Sequence, residues 1–144
     1  MGKHNTGNVN QKGVMLLEAL LAILIFSIVI LAIIGMQAAA VRSVADSKYR
    51  ADAAYLANHI IGDMWTNRTN LGSYSYSGGT PGPLLSTWVN RVKSTLPGVA
   101  NIANNPSIVL GANNLVTVTI RWQPPKVTTG QTNTHNYVVV TSIN

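Results

Sequence analysis

Hydrophobic positions follow three different patterns along the chain. From Val14 to Gln37 they are nearly continuous (VMLLEALLAILIFSIVILAIIGMQ), and from Ala19 to Val41 no side chain is charged. Leu, Ile, Val and Phe fill twelve of the positions between Ala19 and Met36, giving roughly −4 to −7 kcal/mol for membrane insertion. About twenty helical residues at 1.5 Å rise span the roughly 30 Å hydrocarbon core, so the pattern predicts one transmembrane helix. Beyond it, Val41, Ala45, Tyr49, Ala53, Leu56, Ile60 and Met64 recur every three or four residues, with Arg42, Asp46, Lys48, Arg50, Asp52 and Asp63 mostly off that line. The helix is therefore expected to continue to about Thr66, apolar all round in its first half and one-sided in its second.

Thr66–Pro83 (TNRTNLGSYSYSGGTPGP) is rich in turn formers and reads as an exposed loop, in which Tyr74 and Tyr76 are more simply packing residues than a contact surface. Leu84, Leu85, Trp88, Val89, Val92 and Leu96 return to helical spacing, ended by Pro97-Gly98. The third pattern is strict alternation. Val116, Val118, Ile120 and Trp122 lie on one side of a strand from Leu115 to Gln123, with Thr117, Thr119, Arg121 and Gln123 on the other. Asn113-Asn114 turns the chain into it and Pro124-Pro125 ends it. After a polar loop, Tyr137–Ile143 is expected to pair with it antiparallel. The fold class expected is α+β, a long N-terminal helix packed on a small antiparallel sheet.

Composition changes this picture in two ways. Charged residues make up 10 % of the 144, and cysteine is absent. Disulfide frameworks, thiolate zinc sites and cysteine nucleophiles are thereby excluded. Three scattered histidines (His4, His59, His135) and four acids offer little for a catalytic constellation; no Ser–His–Asp order or phosphate-binding glycine loop is present, and an enzyme is not expected. No cofactor or metal is expected either. The net charge is +6, or +4 without Lys3 and Lys12. The remaining cations (Arg42, Lys48, Arg50, Arg68, Arg91, Lys93, Arg121, Lys126) form no run, which argues against nucleic acid as a partner.

Glu18 is the residue that asks for an explanation. It opens the apolar stretch among Leu16, Leu17, Leu20 and Leu21. A carboxylate at the edge of hydrocarbon costs up to a few kcal/mol. Snorkelling to the headgroups and the positive helix N-terminus offset part of that. A cut between Gly13 and Val14 would place a new ammonium four residues away. The competing secretory signal would be cut near Ala38-Ala39-Ala40, but its apolar core is normally shorter and carries no acid. Lys and Arg are nearly balanced across the span and leave its orientation open.

Lys12-Gly13-Val14-Met15-Leu16-Leu17-Glu18-Ala19-Leu20-Leu21-Ala22 resembles the class III signal of type IV prepilins. That family has a short basic leader ending in Gly, a cut, an apolar helix, and Glu fifth after the cut. Asp63-Met64-Trp65-Thr66-Asn67-Arg68, the Trp88-Val89 to Leu96-Pro97-Gly98 segment and the Val116–Trp122 strand are similar to stretches of PilV-type minor pilins. Val14 stands where Phe is usual after the cut, Gly35 where many major pilins have Pro, and Trp65 where the PilV pattern has a basic residue.

The resemblance implies a pilin-like fold. It implies a leader at 1–13, a transmembrane and filament-core helix at 14–41, and a globular head at 42–144. It further implies cleavage at Gly13–Val14 and methylation of the Val14 amine by an inner-membrane prepilin peptidase, and pairing of Glu18 with the amine of a neighbouring subunit. Its topology puts the leader in the cytoplasm and the head in the periplasm until assembly into an extracellular pilus. The implied partners are other minor pilins and the major pilin, the inner-membrane assembly machinery and its lipid, and a large tip adhesin. The implied function is priming pilus growth at or near the tip. Two related alternatives stay open, a type II secretion minor pseudopilin and a DNA-binding minor pilin for DNA uptake.

Overall fold

The computed structural model describes residues 9–125 and 134–144. Residues 1–8 of the expected leader, Lys126 and most of the polar loop before Tyr137 lie outside the described residues. The chain is α+β, with a long N-terminal helix and a three-stranded antiparallel sheet, consistent with a pilin-like fold. Helix α1 runs Val9–Thr66, helix α2 Pro83–Thr95, and strands β1, β2 and β3 are Ser107–Leu110, Leu115–Trp122 and His135–Ser142. Contacts divide the chain into two units, Met1–Val44 and Ala45–Asn144.

In the first unit the described residues are helical, and from Gly13 to Val44 every residue is exposed. Leu, Ile, Val and Phe side chains from Val14 to Ile34 stand between 40 % and 69 % exposed. Ser27, the one hydroxyl in the stretch, donates to the Ile23 carbonyl one turn back at 2.7 Å, so it brings no unsatisfied donor into apolar surroundings. The segment is long and apolar enough to cross a membrane. α1 starts five residues before the Val14 expected from the pattern. Once the apolar run nucleates a helix, adding polar residues upstream costs little, and no Pro stops the propagation.

In the second unit α1 buries one stripe, Ala53, Leu56, Ala57, Ile60 and Met64. The expected line holds from Ala45 onward. Val41 falls off it, 69 % exposed. α2 is entered through Gly82 with Pro83 in the first turn, where its fixed φ suits a helix and its missing N–H goes unneeded. It buries Leu85, Trp88, Val89 and Val92, while Leu84, on the expected stripe, is 46 % exposed. The Trp88 indole Nε1–H donates 2.9 Å to the Leu56 carbonyl, tying α2 to α1 inside the core. Pro97 pushes Leu96 into extended backbone and ends the helix.

The sheet order is β1-β2-β3. β2 alternates as expected, with Val116, Val118, Ile120 and Trp122 all buried, and β3 pairs it in the register Val118↔Val139. β1 is not signalled by the sequence, because four residues are too few for a periodic pattern. The β1–β2 connection needs left-handed backbone at Asn113 and Asn114 (φ 55° at both), which Asn tolerates better than most residues. The exposed loop expected over Thr66–Pro83 is instead partly a 3₁₀ segment, Arg68–Tyr74. Its Leu71 and Tyr74, and Tyr76 beyond it, are buried, because Tyr76 exchanges backbone hydrogen bonds with Ile108 at 3.0 and 2.7 Å.

Gly98 is the tightest point of the head. Its φ is +73°, and a Cβ there would lie 2.8 Å from the Gln123 Cβ and 2.9 Å from the Gln123 carbonyl oxygen. Gln123 N–H donates 2.9 Å to the Pro97 carbonyl, and Asn104 Nδ2 donates 2.9 Å to that of Gly98. Gly98→Ala is expected to lower the unfolding free energy of the head by at least about 1 kcal/mol, since it combines a left-handed non-glycine with a backbone clash. Urea unfolding followed by tryptophan fluorescence, with Trp88 and Trp122 both buried, measures the change.

Candidate functional site

The candidate residues singled out by the sequence, Gly13, Val14 and Glu18, all lie on the first unit's stretch of α1. Glu18 is exposed and has no ion pair or hydrogen bond with any described residue. It stands in a segment where Val14, Met15, Leu16, Leu17, Leu20 and Leu21 are all exposed. Val14 is one turn away on the same helix face, the separation at which paired groups meet on a helix. While the chain is continuous, the Val14 nitrogen is an uncharged amide inside α1. A cut before it would turn that nitrogen into an ammonium and bring Glu18 into the first turn of the shortened helix, where the dipole also favours a carboxylate.

Gly13 has no steric reason to be glycine. A Cβ added there meets nothing within 4 Å, and the same holds for Gly35. In a helix interior each lowers stability by about 1 kcal/mol relative to Ala. Gly98 is a different case, because its own surroundings require it. At Gly13, as at Gly35, packing among the described residues does not call for glycine. Ala38, Ala39 and Ala40, the rival cut site, lie inside α1.

The motif at the end of α1 acquires specific contacts. The Asp63 carbonyl accepts from the Thr66 hydroxyl at 2.8 Å and, at 3.5 Å, from that of Tyr74. The Asp63 carboxylate sits 3.4 Å from His59 Nδ1. Arg68 Nη1 donates to the Asn144 carbonyl, so its guanidinium braces the end of the segment that follows β3. Trp65 is 43 % exposed and takes no part in these contacts.

A second group was not anticipated from the pattern. The His135 imidazole stacks on Trp122, with centroids 5.6 Å apart and planes 18° from parallel, and its Nε2 lies 3.8 Å from Asp46 Oδ1. Asp46 also pairs with Arg50 at 3.1 Å through its other oxygen. His135 and Trp122 are opposite each other in the β2–β3 register, a contact visible only once that pairing is known. Three of the described cations have local partners. Arg50 is engaged with Asp46, Arg68 with Asn144 and Arg121 with the Asn105 carbonyl, while Lys126 lies outside the described residues.

Because Gly13 touches nothing, Gly13→Ala should leave the urea midpoint of the head unchanged while raising the helical content of α1. Tryptophan fluorescence and far-UV circular dichroism of the full chain in detergent micelles check both halves of this expectation. Comparison of the chain with protein-family models, curated proteins and solved structures finds no match.

Proposed function

We propose that the chain is a minor subunit of a type IV pilus, similar to the PilV type. In this reading it is made as a precursor and cut between Gly13 and Val14 by a prepilin peptidase, which also methylates the Val14 amine. It is held in the inner membrane by α1 until it joins a filament. The head, 42–144, then stands with other minor pilins at or near the tip, where it helps start growth and positions an adhesin-like partner.

The observation that carries the reading is Glu18, an exposed carboxylate without a partner among the described residues, near the start of the apolar stretch of α1 whose residues from Gly13 to Val44 are all exposed. Gly13, immediately before Val14, supports it, since packing among the described residues does not demand a glycine there. Apolar helix surface alone cannot choose a register among equivalent helices, because lipid is as apolar as leucine. A charged pair in a water-poor filament core can choose one. A hydrogen-bonded charge pair contributes roughly 1.5–3 kcal/mol, about ten- to a hundredfold in occupancy.

Two variants separate cutting from assembly. Gly13→Ala should retain the leader, which N-terminal sequencing and intact mass of the membrane-extracted protein detect. Glu18→Ala should insert in the membrane at the normal level and lose its leader. Its recovery in sheared pili should nevertheless fall at least about tenfold. Normal recovery of Glu18→Ala in pili would refute the proposed role of the carboxylate.

A further inference from the structure

The sheet has one closed and one open edge among the described residues. At the β1 edge, Tyr76 and Ile108 exchange main-chain hydrogen bonds. At the other edge, β3 pairs with β2 alone. Two bonds set the phase of the ladder. Gly111 N–H donates to the Leu115 carbonyl, and Ile143 N–H to that of Asn114. Because opposed residues alternate between bonded and non-bonded pairs, His135, Tyr137, Val139 and Thr141 turn their main-chain groups toward β2. Asn136, Val138, Val140 and Ser142 turn theirs outward.

β3 itself carries none of the side chains that usually protect such an edge. His135–Ser142 is eight residues long and contains no Pro, Lys, Arg, Asp or Glu. Val138 and Val140 are 48 % and 54 % exposed, and share the outer sheet face with Val109, which is 54 % exposed. Free main-chain donors and acceptors in this spacing are matched by another extended strand, and the sequence of β3 matches itself. In one antiparallel register, Asn136 stands opposite Ser142, Val138 opposite Val140, and Val139 faces its own copy across a two-fold axis. Polar meets polar, apolar meets apolar, and all four outward residues are used. A shift of two residues places Asn136 opposite Val140 or Val138 opposite Ser142. The two copies of His135 lie at opposite ends, so no like charges meet.

We infer that the β3 edge is a docking surface for a second copy of this chain, joined β3 to β3 in that register. The contact is isologous, and with the β1 edge closed it stops at a dimer instead of growing into a fibre. The inference does not rest on the pilus reading, and holds or fails whether or not the leader is cut.

The chain has no native cysteine, so single-cysteine variants report on the contact cleanly. In the full chain in detergent micelles, Val139→Cys should form an interchain disulfide on mild oxidation, because its copies would oppose each other as a close, non-bonded pair. Val138→Cys and Val140→Cys should cross-link at least about tenfold less, their copies being diagonal neighbours roughly 7–8 Å apart. The pair Val138→Lys and Val140→Lys, on exposed sites, should make the chain monomeric in sedimentation with its circular dichroism unchanged. A wild-type chain that stays monomeric up to about 100 μM overturns the inference. So does a dimer that survives the lysines, since it must be made elsewhere, as does equal cross-linking at 138 and 139.

Discussion

One uninterrupted helix has to satisfy two incompatible surroundings, and that constraint organises the molecule. From Val14 to Val44 its apolar side chains are exposed and covered by none of the described residues. From Ala53 to Met64 the same helix presents one small and aliphatic face that belongs to the core of the head. Burying residues such as Leu56 and Ile60 is worth about 1.5–3 kcal/mol each, which holds the second stretch in place. The first has no such internal reward. Lipid or other helices could take that exposed surface out of water, the segment being long and apolar enough to cross a membrane.

The head answers its side of that constraint with few elements. The Trp88 indole reaches across to the Leu56 carbonyl, so the largest residue of α2 both fills volume and fixes orientation against α1. The inner face of β2 is an unbroken row of Val116, Val118, Ile120 and Trp122, and Ile108 and Ile143 complete the cluster. Surface pairs such as Asp46 with Arg50 and His59 with Asp63 add little to stability, being exposed and separated by one helical turn. Apolar packing and a few buried main-chain contacts carry the fold.

The long helix, α2 and the β2–β3 pair were legible in the sequence: an apolar run followed by a helical period marked α1, a helical period marked α2, and strict alternation marked β2, with Tyr137–Ile143 following it as the expected partner. β1 and the buried 3₁₀ stretch before Tyr76 were not. Both owe their positions to partners distant in the chain, Ile108 to Tyr76 and Val118, and Tyr74 to the end of α1. The stack of His135 on Trp122 was hidden for the same reason. At the candidate site the legible part was the chemistry, an acid opening an apolar helix. The structure adds that nothing among the described residues resolves that oddity: Glu18 meets no described cation, and a Cβ on Gly13 would meet no neighbour.

The approach of Gly98 to Gln123 bears on how this head can diverge. Where two stretches of main chain touch directly, their spacing is set by atoms that every amino acid shares. Aliphatic residues in the interior can then trade size with one another over many generations while the exit of α2 and the end of β2 stay the same distance apart. Lineages would be free to rewrite the filling of this small body, and bound only at the pinch.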